Sequence, residues 1–223
     1  MPGPSSPRHV FFFDIDNCLY SPDLGITRLT KDRIHAFGQS IGISPATVAD
    51  TCSTYLRDYG LTVRGLMQHH AVDPREFNNH VDASLPLESL IKPDPALRKM
   101  LLAVTARRWA FTNAGEQHAR RVLRCLAVDD LFEGITCCDY SEPDFPCKPE
   151  RRAYERAMQE AAIEHPHMCF FVDDSSANVQ AAARLGWTAV EVSPVKTTDL
   201  HITSIYDLPS VLPQAFAQPL TNP

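Results

Sequence analysis

The stretch RHVFFFDIDNCLY, residues 8–20, decides the fold of this 223-residue chain. Its apolar run, Val10 to Phe13, is typical of a strand that is buried on both faces of a parallel sheet. Two carboxylates, Asp14 and Asp16, follow this run directly. Ligands bind outside the carboxyl ends of the strands in such a sheet, so we expect Asp14 and Asp16 to belong to a functional site.

The composition predicts a soluble globular protein. The chain is 44% hydrophobic and 22% charged, and no apolar run approaches the roughly 20 residues that a membrane span requires. The formal net charge of −6 argues against binding of nucleic-acid polymers, because such binding needs cations that replace the counterions of the phosphates. We therefore expect neither a nucleic-acid polymer nor a membrane as partner, and the sequence indicates no oligomeric state.

The seven cysteines predict free thiols in a reducing compartment. Their number is odd, they form no C-x-x-C pair, and Cys137 is adjacent to Cys138. Cys18, close to the two acids, is interpreted as a small buried hydrophobe rather than a reactive thiol. Because the N-terminus also lacks the pattern of an export signal, we expect a cytoplasmic protein, and a nuclear location is compatible with the same features.

Residues 108–192 alternate between strand and helix patterns. Buried strands are predicted at 108–112, 134–138, 168–174 and 188–192, and helices at 116–126, 149–162 with Pro149 in the first turn, and 175–186. Together with the first strand, this alternation predicts an α/β fold, a Rossmann-like parallel sheet with helices on both faces.

Residues 27–82 interrupt this alternation with successive helical patterns separated by Gly and Pro. We assign residues 21–92 to a helical insertion, and residues 1–20 and 93–223 to a discontinuous α/β core. The Pro/Ser-rich first seven residues and the Pro-containing tail, 212–223, are expected to be frayed.

Other polar side chains follow two further predicted strands. Thr112 and Asn113 come after RWAF, Asp173 and Asp174 come after CFFV, and Lys148 precedes the next predicted helix. All of these positions lie at the sheet edge where the first strand ends. Four carboxylates against one lysine leave a formal charge of about −3, and like charges a few ångströms apart repel by about 4 kcal/mol at an intermediate dielectric. We therefore expect a hard divalent cation, Mg²⁺ rather than Ca²⁺, at this edge.

A phosphate monoester suits such a site. Lys148, the Thr112 hydroxyl and backbone N–H groups are expected to bind its oxygens. Asp14 is then placed to attack phosphorus and form an aspartyl phosphate, which water hydrolyses in a second step. Asp16 is expected to protonate the leaving alcohol and later to deprotonate the water.

Four separated segments resemble motifs I to IV of the haloacid dehalogenase-like hydrolases. These are DIDNCLY, FTN, CKPERRAY and FVDDSSANV, in the order of the family, and residues 21–92 resemble its helical C1-type cap. The resemblance covers residues 10–195. It implies roles for eight residues: Asp14 as nucleophile and metal ligand, Asp16 as acid/base and as metal ligand through its carbonyl, Thr112 and Asn113 as phosphate ligands, Lys148 as partner of the nucleophile and phosphate, Asp174 as metal ligand, and Asp173 and Asn178 in support.

Within this family, the chain resembles the pyrimidine 5′-nucleotidase-like branch, of the suppressor of disruption of TFIIS type. The segments that carry this resemblance are FFFDIDNCLY, YGLTVRGL, IKPDP and DLFEGITCCDY. This resemblance implies a Mg²⁺-dependent phosphatase for a small phosphomonoester, with a pyrimidine nucleoside 5′-monophosphate as the leading candidate. Another nucleotide, a lysophospholipid or a sugar phosphate remains an alternative substrate. In the predicted cap, Tyr55, Arg64 and His69 are candidates for contacts with the leaving group, although aromatic residues at helical spacing more often serve packing.

Other interpretations remain open. Asp174 with Ser175 is also compatible with a helix cap. A zinc site at His69 and His70, or at His165 and His167, is rejected because neither pair has partners at ligand spacing. A phospho-accepting receiver domain, a 2-haloacid dehalogenase and a non-enzymatic interaction protein are the competing functions, and Asp16 argues against the first two because neither needs an acid/base at that position.

Overall fold

The computed structural model describes residues 9–142 and 144–217. The strands are β1 (Val10–Phe13), β2 (Arg107–Gly115), β3 (Gly134–Cys138), β4 (Cys169–Asp173), β5 (Thr188–Val192) and β6 (His201–Ile202). The helices are α1 (Ile26–Ser40), α2 (Val48–Tyr59), α3 (Thr62–His70), α4 (Pro74–His80), α5 (Leu87–Leu90), α6 (Pro95–Leu102), α7 (Glu116–Cys125), α8 (Arg151–Glu160), α9 (Ser176–Arg184) and α10 (Leu208–Val211).

The strands form one sheet in the order β3-β2-β1-β4-β5-β6, and the paired strands are parallel. β1 lies in the interior of this sheet, with Phe13 opposite Ala110 of β2 on one side and Val172 of β4 on the other. The predicted Rossmann-like α/β fold is confirmed. The carboxyl ends of β1, β2 and β4 therefore lie side by side.

Both faces of β1 are covered, which explains its uninterrupted apolar sequence. Phe11 and Phe13 pack into the hydrophobic cluster on one face of the sheet, and Val10 and Phe12 pack into the cluster on the other. All four side chains are fully buried. Burial of each phenylalanine contributes about 1.5–3 kcal/mol to folding, so β1 is a rigid support for the acids that follow it.

Helices α1 to α4 surround a third hydrophobic cluster, which includes Phe37, Leu66 and Phe77. Phe145 and Cys147, from the segment that leads to Lys148, also belong to this cluster. The helical part is thus packed against the chain beside the predicted site. The domain boundaries at 20/21 and 92/93 stay a proposal.

Two local predictions were wrong. Pro149 does not lie in the first turn of α8, which begins at Arg151, because Asn113 holds the backbone of Lys148 in a non-helical segment. The first part of the tail is packed rather than frayed: Ala215 and Phe216 are buried, and Phe216 pairs with Val104 in an antiparallel bridge. Residues 1–7 and the rest of the tail, 218–223, lie outside the described residues.

The seven cysteines are free thiols. Within residues 9–142 and 144–217, no helix has both the length and the hydrophobicity that crossing a bilayer demands.

The contact between Gly134 and Trp109 gives a test of this packing. A Cβ atom at Gly134 would lie 2.2 Å from the Trp109 indole. We expect Gly134→Ala to lower the free energy of unfolding by about 1–3 kcal/mol, measured by urea denaturation, because the buried indole has to move. In a Trp109→Phe background, which removes the colliding ring atoms, the same substitution should cost clearly less. Equal costs in both backgrounds would show that the indole contact is not the cause.

Candidate active site

The ammonium group of Lys148 lies between the ends of three strands. Its Nζ atom donates hydrogen bonds to Asp14 Oδ1 at 2.7 Å, to Asp173 Oδ2 at 2.6 Å and to the carbonyl oxygen of Phe111 at 2.7 Å. The side chain is only 1% exposed. An ammonium group has three N–H donors, so all of them are used within the protein. A direct hydrogen bond from Lys148 to phosphate, as predicted, would require exchange of one of these bonds.

Asp173 is the most fully bonded carboxylate of the cluster. Its Oδ1 atom accepts hydrogen bonds from the backbone N–H of Ser175 at 2.8 Å and from Asn178 Nδ2 at 3.0 Å, and Lys148 occupies Oδ2. The supporting positions predicted for Asp173 and Asn178 agree with these contacts. Since Asp173 is saturated by protein donors, it holds the loop and Lys148 in place rather than offering a free oxygen.

Asp14, Asp173 and Asp174 each place a carboxylate oxygen within 4.8 Å of the other two. Of these three carboxylates, only those of Asp14 and Asp174 retain an oxygen without a protein donor among the described residues. Hard oxygen donors at this spacing fit a hard divalent cation. The Asp174 side chain does not cap α9; it accepts a hydrogen bond from Asn17 Nδ2 at 3.3 Å.

Asn17 connects this acidic cluster to the first helix of the insertion. Its backbone adopts a left-handed conformation with φ of 58°. Its side chain donates to Asp174 and accepts a 2.7 Å hydrogen bond from the Thr27 hydroxyl, in the first turn of α1. The position of α1 is therefore linked through two hydrogen bonds to a predicted metal ligand.

Asp16 points to two donors that the sequence analysis did not identify. Its Oδ1 atom accepts a 2.6 Å hydrogen bond from the Tyr20 hydroxyl and a 2.8 Å hydrogen bond from His118 Nε2. Both donors are buried, whereas the Asp16 side chain is 32% exposed. His118 lies in the first turn of α7, directly after β2, so the topology brings it to the same edge of the sheet.

Burial and charge act in opposite directions on these groups. Burial raises the pKa of Asp14 well above its ordinary value, and Asp173, Asp174 and Asp16 raise it further against the effect of Lys148. Burial lowers the pKa of Lys148, but the two carboxylates outweigh it and raise that pKa. For Asp16, burial is outweighed by the charge and hydrogen bond of His118, so the pKa of Asp16 is lowered.

The pKa of the His118 imidazole is shifted in the opposite direction to that of Asp16. Burial lowers its pKa, but the Asp16 charge and hydrogen bond raise it to about 9. His118 Nδ1 is buried and has no hydrogen-bond partner among the described residues, so Asp16 is the hydrogen-bond partner of this ring.

Thr112 and Asn113 occupy the end of β2. The buried Thr112 Oγ1 accepts a hydrogen bond from the backbone N–H of Ala114 at 3.0 Å, which leaves its own O–H free to donate. Asn113 instead bonds both backbone groups of Lys148, donating to its carbonyl at 2.8 Å and accepting from its N–H at 2.7 Å. The amide side chain of Asn113 positions Lys148, and a contact of Asn113 with phosphate stays a prediction.

The three cap candidates have different surroundings. Arg64 forms an ion pair with Glu150 and bonds Cys147 Sγ, both beside Lys148. Tyr55 and His69 stack on one another at 5.2 Å.

Tyr59 and His70 complete this group of two half-buried tyrosines and two exposed histidines by hydrogen bonding to His69 and Tyr55, respectively. At Gly60, a Cβ atom would lie 3.4 Å from the Lys148 carbonyl oxygen, so this end of α2 lies against the backbone of Lys148. Contacts of these side chains with a leaving group stay a prediction.

Replacement of Asp174 by asparagine should stabilise the metal-free protein. Burial and the Asp173 charge raise the pKa of Asp174 to about 6, so its ionisation above that pH costs folding free energy. We expect Asp174→Asn to raise the free energy of unfolding by about 1–2 kcal/mol at pH 8 in a chelator, after allowance for solvent screening. The gain should fade as the pH falls through about 6, because the wild-type carboxyl is then neutral.

Urea denaturation at several pH values measures this effect. Mg²⁺ should stabilise the wild type and leave Asp174→Asn unchanged, since the variant lacks a metal ligand. Asp129→Asn, at an exposed acid in the turn after α7, is the matched control and should change stability by less than about 0.5 kcal/mol. A less stable Asp174→Asn protein at pH 8 would contradict the electrostatic account.

Comparison with known proteins agrees with this architecture. A family model described as haloacid dehalogenase-like hydrolase matches residues 9–186. "Phosphate metabolism protein 8" from Saccharomyces cerevisiae is 33% identical over 198 residues, which cover 83% of this chain and 62% of the yeast protein. The chain thus spans less than two thirds of that relative.

Solved structures show the same fold at low sequence identity. A HAD phosphatase from Thermococcus onnurineus is 19% identical, with a TM-score of 0.62 over 94% of this chain and 100% of the other. The L-2-haloacid dehalogenase from Xanthobacter autotrophicus is 13% identical, with a TM-score of 0.59 over 95% of this chain and 100% of the other. Since the family model covers most of the chain, the protein belongs to the haloacid dehalogenase-like hydrolases.

Proposed function

We propose that this hydrolase is a Mg²⁺-dependent phosphatase of small phosphomonoesters, with a pyrimidine nucleoside 5′-monophosphate as the leading substrate. The observation that carries the proposal is the arrangement of Asp14. One of its oxygens is held by Lys148, and the carboxylate faces Asp174 within the acidic cluster. A carboxylate fixed in this way can attack phosphorus with its second oxygen.

Asp14, Asp174 and the backbone carbonyl of Asp16 would hold the metal ion. When bound, the ion supplies positive charge that offsets the repulsion between the carboxylates and an anionic ester. Lys148 compensates part of the charge on Asp14 and Asp173, and the buried Thr112 hydroxyl is free to donate to a phosphate oxygen. These residues would donate hydrogen bonds to the substrate oxygens and would hold the Asp14 carboxylate in the orientation that attack requires.

Two proton transfers fall to Asp16. In the first step, a bond forms between Asp14 and phosphorus while the bond to the leaving oxygen breaks, and the Asp16 carboxyl gives its proton to that oxygen. The negative charge of the bound ester favours the protonated form of Asp16 at this stage, against the effect of His118. In the second step, the Asp16 carboxylate takes a proton from water as the water oxygen attacks phosphorus, which frees Asp14. The shared use of one acid/base in both steps requires that Asp16 keep its orientation between them.

The choice among alternatives rests on Asp16 and its surroundings. A dehalogenase and a receiver domain have no need of an acid/base that two buried donors hold beside the nucleophile. The preference for a pyrimidine nucleotide is supported by the resemblance of the motif segments to the nucleotidase-like branch. The name of the yeast relative refers to phosphate metabolism without stating a substrate.

Phosphate release from a panel of esters tests the proposal. The panel contains pyrimidine and purine nucleoside monophosphates, sugar phosphates and a lysophospholipid, each with Mg²⁺ and with a chelator. We expect the largest kcat/KM with UMP or CMP and a loss of at least about 100-fold on chelation, because the carboxylate repulsion is then unscreened.

Asp14→Asn is the control, since it keeps the size of the side chain and removes the nucleophile. Release no greater than that of Asp14→Asn for every ester would refute the phosphatase. Faster hydrolysis of a sugar phosphate or lysophospholipid would refute only the nucleotide preference. Chloride release from 2-chloropropionate in the chelator would instead indicate a dehalogenase.

A further inference from the structure

The two oxygens of the Asp16 carboxylate have different environments. Oδ1 accepts hydrogen bonds from the Tyr20 hydroxyl at 2.6 Å and from His118 Nε2 at 2.8 Å. Oδ2 has no hydrogen-bond partner within residues 9–142 and 144–217. Because the Oδ1 carboxylate oxygen accepts this bond, His118 Nε2 carries its hydrogen, whether or not Nδ1 is also protonated.

The two donors come from well-supported positions. Tyr20 is 7% exposed and packs in the hydrophobic cluster on one face of the sheet. His118 is 4% exposed, on α7. One turn along the same helix, Arg121 bonds the carbonyl of Leu85 at 2.8 Å and both oxygens of Glu88 at 2.8–2.9 Å. The helix that presents His118 is therefore tied to the segment through which the chain leaves the insertion.

We infer that His118 and Tyr20 are positioning residues that reserve Asp16 Oδ2 for the catalytic proton. An oxygen that already accepts two short hydrogen bonds has no room for a third hydrogen, so a proton on the carboxyl group resides on Oδ2. The same two bonds prevent rotation of the carboxylate, which would exchange its oxygens between the two proton transfers. This inference rests on the proposed phosphatase function and adds the residues that make Asp16 effective.

A series of aryl phosphates separates this role from a structural one. Phenyl, p-methoxyphenyl and p-nitrophenyl phosphate have the same aromatic ring but leaving groups of different basicity. The weakly basic p-nitrophenolate leaves without a proton, whereas departure of the more basic phenolate is faster when the oxygen is protonated. We expect His118→Ala and Tyr20→Phe each to lower kcat/KM for phenyl phosphate by about ten-fold or more and to change it for p-nitrophenyl phosphate by about two-fold or less. The dependence of kcat/KM on the leaving group therefore becomes steeper in both variants.

Two further variants complete the comparison. His118→Gln keeps an N–H donor and should restore part of the rate with phenyl phosphate. Tyr206→Phe removes another tyrosine hydroxyl that donates to an aspartate, Asp94, and should leave the dependence on the leaving group unchanged.

Equal losses with all three esters, or no loss with phenyl phosphate, would overturn the inference while leaving the phosphatase intact. If wild type released phosphate from neither the three esters nor UMP, the proposed function would fail and the inference with it. If it hydrolysed UMP alone, an unchanged kcat/KM for UMP in both variants would overturn the inference, because the alkoxide leaving group of UMP needs a proton. Circular dichroism identifies a variant that does not fold. In that case Tyr20→Phe, which removes a single oxygen atom, decides the question.

Discussion

A buried lysine between two carboxylates is the interaction on which this site depends. The Lys148 ammonium joins Asp14 at the end of β1, the Phe111 carbonyl in β2 and Asp173 at the end of β4. It also lies 4.9 Å from the centre of the Phe111 ring. A buried ion pair adds little to stability compared with apolar packing, but removal of one partner leaves an uncompensated charge. Lys148 thus fixes the geometry of three strand ends around the nucleophile.

The surrounding packing offsets the cost of this acidic pocket. Asp14 and Asp173 are buried, and the pKa of Asp14 is raised by burial and then by its acidic neighbours. Phe12, Phe111 and Phe171 form part of a continuous cluster under the pocket and hold the backbone in place. The repulsion among the carboxylates therefore persists in the folded protein, where it favours a cation and, with it, an anionic ester. The repulsion that lowers the stability of the metal-free protein is therefore the same interaction that would favour binding of a cation.

Much of the framework could be predicted because strong local patterns carry it. β1 and β4 could be predicted from apolar runs followed by acids, because a strand buried on both faces requires apolar residues and the site at its end requires polar ones. His118 could not be predicted as a site residue, because no sequence motif marks a histidine in the first turn of a helix. Its partner Asp16 is also 102 residues away in the chain. The bonds from Asn113 to the Lys148 backbone were not predicted, because they depend on how the end of β2 meets the segment before α8. The packed tail depends likewise on a distant partner, Val104.

The central claim is that the acidic pocket accepts a phosphate-like anion only after a divalent cation has bound. Calorimetric titration of the wild-type protein with orthovanadate, in Mg²⁺ and in a chelator, tests it most directly. The account predicts binding in Mg²⁺ and a loss of at least about ten-fold in affinity without it, corresponding to about 1.4 kcal/mol or more. Equal affinity under both conditions would contradict the account, because the carboxylates would then present no electrostatic barrier to the anion.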